Sequence, residues 1–240
     1  MNTEEPPSPD FCESRNHEII ISVWNGRVYH LDKEKDEFIP YPDKMRSRNP
    51  TVMVQDNEQD YFWLATWGDG VVRFDPSAPG DSMFVYSEIP VNAAGEEDGL
   101  ILSLAQDDKL GYIWLTTGHD FMALQIQPDR TLKQLKFSAG LLPVNHMLVE
   151  VLKGKECLWV SAFDRPSFIL HLMDNITKDY ALPALADRVN RSPAIMALCD
   201  DGDGMMWMMQ ERTGLALYDL KQDKVKNLFG FSRTCFFAFE

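Results

Sequence analysis

Four short segments of the chain carry side chains that suit the recognition of sugars. Each combines at least two of an aromatic ring, an imidazole, a carboxylate and a guanidinium, groups that stack on sugar rings or hydrogen-bond to hydroxyls. The segments are Trp67-Gly68-Asp69, Gly118-His119-Asp120, Phe163-Asp164-Arg165 and Glu211-Arg212-Thr213. The candidate ligand-binding residues are therefore Trp67, Asp69, His119, Asp120, Phe163, Asp164, Arg165, Glu211 and Arg212. A loop surface without a ligand would show the same variety, so both interpretations stay open here.

Metal and cofactor chemistry has little support in the sequence. The turns Asp107-Asp108-Lys109 and Asp200 to Gly204 are rich in aspartate, but a calcium loop would need carboxylates where Cys199 and Gln210 stand. Tight turns explain these aspartates better. The five histidines show neither HxxxH nor HxH spacing. We expect no metal and no cofactor.

Catalytic residues are also not expected. A glycosidase needs two facing carboxylates, and among the strands that would line a central channel only Glu150 is a clear candidate. The sequence contains no nucleophile elbow or comparable arrangement of Ser, Cys and His. A binding function is therefore favoured, with a carbohydrate-active enzyme, either a glycosidase or a lyase, as the alternative.

A tryptophan motif recurs along the chain and indicates an internal repeat. It reads Trp63-Leu64-Ala65-Thr66, Trp114-Leu115-Thr116-Thr117, Trp159-Val160-Ser161-Ala162 and Trp207-Met208-Met209-Gln210. A further unit from Ile20 to Asp32 aligns in the same register, with Trp24 on Trp67. The motif starts at residues 20, 63, 114, 159 and 207 of the five units.

Each unit contains short apolar runs of strand length bounded by turn-forming residues, and no segment has a sustained helical period. Such a repeat is typical of β-propeller blades, because a single four-stranded sheet cannot bury both of its faces alone. The sequence therefore predicts an all-β propeller of about five four-stranded blades, with the tryptophans packed between sheets. The units lie near residues 17–43, 50–88, 100–138, 146–183 and 193–229.

The two ends of the sequence bear on whether the propeller closes into a ring. Residues 1–16 are rich in proline and are predicted to form a disordered leader, which leaves the first unit without its first strand. An extra apolar run at residues 233–239 has the character of such a strand. It either completes the first blade and closes a five-bladed ring over residues 17–240, or belongs to a longer propeller of which this chain is a fragment.

Composition excludes two classes of partner. The chain has 23 Lys and Arg against 37 Asp and Glu, a formal net charge of −14, which repels nucleic acid and anionic lipid surfaces. The longest strongly apolar stretch, Ile19 to Trp24, is far shorter than the roughly 20 residues that cross a bilayer. We expect neither nucleic-acid binding nor membrane insertion by this chain.

The stretches from Val54 to Pro76 and from Met196 to Leu220 resemble the two-component regulator propeller repeat. In that family an apolar strand and an Asp-rich turn precede Leu-Trp-apolar-Gly-Thr, which is followed by Gly-Leu and an aromatic-Asp pair. The corresponding residues here are Trp63-Leu64-Ala65-Thr66, Gly70-Val71 and Phe74-Asp75. The resemblance extends from about residue 17 to residue 229.

The resemblance implies a sensory role. Members of that family are typically periplasmic sensor regions of hybrid two-component proteins, and many respond to oligosaccharides. It therefore implies a non-catalytic module that binds an oligosaccharide or another small ligand, with the rest of a sensor kinase chain or a second copy as partner. The sequence departs from the family pattern in having five units, no signal peptide, no membrane helix and no kinase motif. Those departures leave a cytoplasmic location and a role as a protein-interaction scaffold open.

Overall fold

The fold is described from a computed structural model of the chain. The structure describes residues 9–24, 27–42, 49–87, 89–92, 95–107, 110–117, 121–135, 149–152, 157–160, 167–171, 176–180, 195–201, 203–210, 214–219, 221–222 and 224–229. The chain divides into two compact units, Met1–Pro143 and Val144–Glu240.

The first unit contains three four-stranded antiparallel sheets, each built from consecutive strands. Sheet 1 consists of β1 (Pro9–Glu13), β2 (Ile19–Val23), β3 (Arg27–Asp32) and β4 (Glu37–Pro40). Sheet 2 consists of β5 (Pro50–Gln55), β6 (Phe62–Thr66), β7 (Val71–Phe74) and β8 (Phe84–Tyr86). Sheet 3 consists of β9 (Ile101–Gln106), β10 (Tyr112–Thr117), β11 (Phe121–Ile126) and β12 (Leu132–Gln134). A 3-10 turn at Gly80–Ser82 precedes β8.

The second unit contains two further sheets of the same design among its described residues. Sheet 4 consists of β13 (Val149–Leu152), β14 (Cys157–Val160), β15 (Ser167–His171) and β16 (Ile176–Tyr180). Sheet 5 consists of β17 (Ile195–Asp200), β18 (Met205–Gln210), β19 (Gly214–Asp219) and β20 (Lys224–Phe229). The prediction of four-stranded antiparallel sheets repeating about five times is confirmed. Every tryptophan of the motif lies on the second strand of its sheet.

The prediction of a disordered leader over residues 1–16 is wrong for residues 9–16. Pro9–Glu13 form β1, which pairs along its length with β2. Pro9 is the first residue of that strand, a position where its missing N–H and fixed φ are tolerated. The first sheet is therefore already four-stranded, so the run at 233–239 is not needed to complete it. That run lies outside the described residues.

Contacts made by β1 explain why this strand forms. β1 packs against β5, the first strand of the neighbouring sheet. The backbone N–H of Met53 donates a hydrogen bond of 2.5 Å to the Asp10 carboxylate, and Cys12 packs against the apolar core between sheets 1 and 2. These partners are about 40 residues away in sequence, which is why local composition does not reveal them.

Sheet 2 is buried on both faces, as a blade between two neighbours must be. All five residues of β6 are buried. Because successive side chains of a strand point to opposite faces, Phe62 and Leu64 pack in one core cluster with Ile20 of sheet 1. Trp63 packs in a second cluster with Leu115 of sheet 3. The interpretation of Trp63 and Trp114 as packing residues is confirmed, because both are almost fully buried.

A buried hydrogen bond recurs in sheets 2 and 3. The indole Nε1 of Trp63 donates to Asp56 Oδ2 at 2.8 Å, and that of Trp114 donates to Asp107 Oδ2 at 2.8 Å. In both sheets the aspartate precedes the tryptophan by seven residues and its second oxygen accepts backbone N–H groups of its own turn, from Glu58 and Leu110 respectively. The turn interpretation of Asp107 is thus confirmed, and the same carboxylate also holds the central side chain of its sheet.

The Asp10 carboxyl makes the stability of the first unit depend on pH. Burial raises its pKa from 3.8 to about 6, although the Met53 and Phe11 N–H groups act in the opposite direction. The folded state therefore binds this proton more tightly than the unfolded state, and the resulting stabilisation is fully present below pH 3.8. It is lost as the pH rises through about 6.

We predict that Asp10→Asn raises the free energy of unfolding at pH 7.5 by about 1 to 2 kcal/mol, a figure reduced for partial solvation of the carboxylate. The amide oxygen can still accept the Met53 N–H. Urea denaturation at pH 5 and at pH 7.5 measures the effect. Glu37→Gln removes one negative charge from an exposed position of β4 and serves as the control. Equal pH dependence in wild type and Asp10→Asn would contradict the assignment.

Candidate functional site

The loop between β6 and β7 carries two of the predicted ligand-binding residues, Trp67 and Asp69. The hydroxyl of Thr66 donates to the carbonyl of Gly70 at 2.7 Å and accepts the backbone N–H of Asp69 at 3.1 Å. Gly68 has a φ of 122° and Gly70 a φ of 70°, conformations that favour glycine. The loop is therefore a tight turn with a defined shape.

Neighbouring segments fix this loop from both sides. The N–H of Trp67 donates to the carbonyl of Asn49 at 2.8 Å, and the N–H of Gly68 donates to the carbonyl of Gly99 at 2.8 Å. Trp67 also forms a β-bridge with Leu100. A Cβ atom on Gly99 would lie 2.2 Å from the Gly68 carbonyl oxygen, so only glycine fits. The loop after β6 is held between the segments that lead into β5 and β9.

Trp67 presents an aromatic surface together with Trp24, which follows β2 in the neighbouring sheet. Their ring centroids are 5.7 Å apart with the planes at 76°, an edge-to-face contact. The Trp67 residue is 50% exposed. Part of the Trp67 residue is therefore accessible on a backbone that is fixed on both sides.

The carboxyl group of Asp10 lies at the same end of sheet 1 as the tryptophan pair. Asp10 pairs across the strands with Ser22, two residues before Trp24. Burial raises the pKa of the Asp10 carboxyl group to about 6, so near pH 7 the group is mostly ionised and accepts hydrogen bonds. The Ser22 hydroxyl is buried and has no hydrogen-bond partner among the described residues.

Most of the predicted ligand-binding residues cannot be placed relative to this pair. Asp69 lies in the same loop as Trp67 and is half-buried. The predicted residues that lie outside the described part of the chain are His119, Asp120, Phe163, Asp164, Arg165, Glu211 and Arg212. The side chain of Glu150, on β13, is likewise outside the description. Sequence analysis missed Trp24 as a site residue, although its alignment on Trp67 was the signal that could have found it.

The aspartate-rich turn of sheet 5 has a structural explanation. One oxygen of Asp201 accepts the N–H groups of Asp203 and Met205 at 2.8 and 2.9 Å. The described residues contain no group of three or more His, Cys, Asp or Glu side chains that could hold a metal ion. Among the described residues we also find no helix with the length and apolar character needed to span a bilayer.

Comparison with known proteins identifies the fold. No protein-family model and no curated protein matches the sequence. A protein described as the hybrid two-component system BT3049 of B. thetaiotaomicron has an extracellular domain that superposes with a TM-score of 0.64 at 14% identity, covering 94% of this chain and 30% of that one. The chain has the β-propeller fold.

Two other solved structures have the same fold. Virginiamycin B lyase from Staphylococcus aureus gives a TM-score of 0.65 at 9% identity, over 94% of this chain and 70% of the lyase. PorZ of Porphyromonas gingivalis gives a TM-score of 0.67 at 13% identity, over 89% of this chain and 32% of PorZ. This chain therefore spans less than a third of the BT3049 domain and of PorZ. BT3049 is described as a hybrid two-component system, the class of protein whose propeller repeat the sequence resembles.

We predict that Gly99→Ala destabilises the protein by more than about 2 kcal/mol, because backbone must move to relieve the clash with Gly68. Gly111→Ala is the matched control, since Gly111 has a φ of 67° but no atom within 4 Å of the added Cβ. That control tests backbone strain alone, which costs about 1 kcal/mol. Urea denaturation measures both losses, and near-UV circular dichroism reports the Trp24–Trp67 contact. A smaller loss for Gly99→Ala than for Gly111→Ala would contradict the close approach.

Proposed function

We propose that this chain is a non-catalytic sensory module of a two-component signalling system and that it binds an oligosaccharide at the Trp24–Trp67 surface. The observation that carries the proposal is the half-exposed Trp67 indole, held edge-to-face against Trp24 on a loop fixed by three backbone hydrogen bonds and a bridge. A rigid exposed aromatic ring loses little entropy when it binds a ligand.

The chemistry of the surface fits a sugar. The apolar C–H face of a pyranose stacks on an indole, while the ring hydroxyls need hydrogen-bond donors and acceptors around it. Asp69 lies two residues from Trp67, and the carboxyl group of Asp10 lies at the same end of sheet 1.

The likeness to solved structures supports a sensory role. BT3049 is described as a hybrid two-component system and its matching part as an extracellular domain. We further propose a periplasmic location for this chain, with the remainder of a sensor protein or a second copy as its partner. Fold alone does not determine function, so the test must be made on the site itself.

The alternative function is catalysis on a small or saccharide substrate, because virginiamycin B lyase has the same fold. The two functions predict different fates for the ligand. A binding module releases its ligand unchanged, whereas an enzyme converts it. Mass spectrometry of each bound oligosaccharide after prolonged incubation with the protein distinguishes these outcomes, and a cleaved or unsaturated product would establish the enzyme.

We predict that Trp67→Ala weakens oligosaccharide binding by at least about tenfold, a loss typical of an exposed aromatic anchor. The wild-type chain is first screened against an array of plant and microbial oligosaccharides, and the affinity for each hit is then measured by calorimetry. Phe38→Ala is the matched control, because Phe38 is an exposed ring on β4 that the proposal does not use. Failure of every oligosaccharide to bind, or equal affinity in Trp67→Ala and wild type, would refute the proposed site.

A further inference from the structure

The position opposite the motif tryptophan carries a positive charge in sheet 2. In each of sheets 2 to 5 the tryptophan of the second strand is paired with a residue of the third strand. That residue is Ala123 in sheet 3, Ile169 in sheet 4 and Leu217 in sheet 5, all apolar. In sheet 2 it is Arg73, opposite Trp63. The scaffold therefore does not require a charge at this position.

The hydrogen-bond donors of Arg73 are only partly paired by the described residues around it. Its guanidinium carbon lies 5.3 Å from the centroid of the Tyr61 ring, a cation–π contact. The buried Nε atom of Arg73 and the buried hydroxyl of Tyr61 have no hydrogen-bond partner among the described residues. Tyr61 is 8% exposed. Two buried donors without partners cost free energy, so a hydrogen-bond acceptor that reached both would be bound favourably.

The guanidinium of Arg130, from sheet 3, lies near the Tyr61 hydroxyl. Arg130, in the turn between β11 and β12, donates to Glu58 at 2.7 Å and lies 3.9 Å from Asp56. The positive charges of Arg130 and Arg73 both act on the Tyr61 hydroxyl. Burial and the Asp56 charge nevertheless raise the pKa of Tyr61 to about 12, so its hydroxyl remains a donor.

The neighbouring carboxylates do not neutralise Arg73. Asp56 is fully buried and bonded to the Trp63 indole and to two backbone N–H groups of its turn. Glu58 is paired with Arg130. Among the described residues Arg73 has no ion pair, so its charge is available to a ligand.

We propose that Arg73, Tyr61 and Arg130 form a binding site for a small oxyanion, a carboxylate or a phosphate group, between sheets 2 and 3. The planar guanidinium donates two parallel hydrogen bonds to such a group, and the Tyr61 hydroxyl adds a third. Tyr61 precedes β6 and Trp67 follows it, so this site and the tryptophan pair lie at opposite ends of one strand. The oxyanion site is independent of the proposed oligosaccharide function.

Three variants test the site in the full chain. Arg73→Leu introduces the residue type that sheet 5 carries at this position, so the variant should fold and should lose anion binding. Tyr61→Phe removes an unpartnered hydroxyl, so it should leave the free protein at least as stable but weaken anion binding by about tenfold. Arg27→Gln removes an exposed arginine of β3 and is the control.

The measurement is thermal unfolding, with sodium phosphate or sodium acetate replacing sodium chloride at constant ionic strength. We expect a saturable rise in Tm with at least one anion in wild type and Arg27→Gln, absent in Arg73→Leu. A response to acetate alone assigns a carboxylate, and a response to phosphate alone assigns a phosphate group. No saturable rise with either anion overturns the proposal, as does an equal rise in Arg73→Leu, because salts that are excluded from protein surfaces stabilise all variants alike.

Discussion

The hydrogen bond from a buried tryptophan indole to a buried aspartate is the interaction on which the first unit depends. A carboxylate as buried as Asp56 must be fully hydrogen-bonded, and its partners are Trp63 and the backbone of its own turn. The same pair recurs as Asp107 and Trp114. One side chain thus fixes the turn between the first two strands and orients the ring that fills the space between sheets. Removing it would leave an indole N–H unpaired in the core.

Because the aspartate–tryptophan pair fixes the centre of a sheet, the residues at the two ends of its strands can differ in chemical character. In sheets 2 and 3 the aspartates occupy the turns before the second strand, and in sheet 2 Arg73 adds, beside Tyr61, a positive charge that forms no ion pair with a described residue. The described loop after β6 holds no such aspartate–tryptophan pair, and there Trp67 lies exposed against Trp24. Rigidity at that end comes from backbone hydrogen bonds to Asn49 and Gly99 instead. A sheet whose centre is constrained can therefore accept functional residues at either end.

The repeat in the sequence predicted the sheets because the packing residues recur in register with Trp63 and Trp114. The prediction for β1 was wrong, because the proline content suggested disorder. The strand is held by a hydrogen bond from the Met53 N–H, which is distant in sequence. The alignment of Trp24 on Trp67 marks equivalent positions in two units, but the contact between the two rings joins two sheets and has no signal within either segment. The position of Arg73 opposite a motif tryptophan likewise has no signal in the local sequence. Its significance appears only when the strand register shows that Ala123 and Leu217 occupy the same position.

Hydrogen exchange of the indole protons, followed by NMR, tests the central role of the Asp–Trp pairs most directly. The account predicts that the indole protons of Trp63 and Trp114 exchange only through global unfolding, while that of the half-exposed Trp67 exchanges much faster. It also predicts that Asp56→Asn accelerates exchange at Trp63 much more than at Trp114. Fast exchange at Trp63 in the wild-type protein, or exchange unaffected by Asp56→Asn, would contradict it.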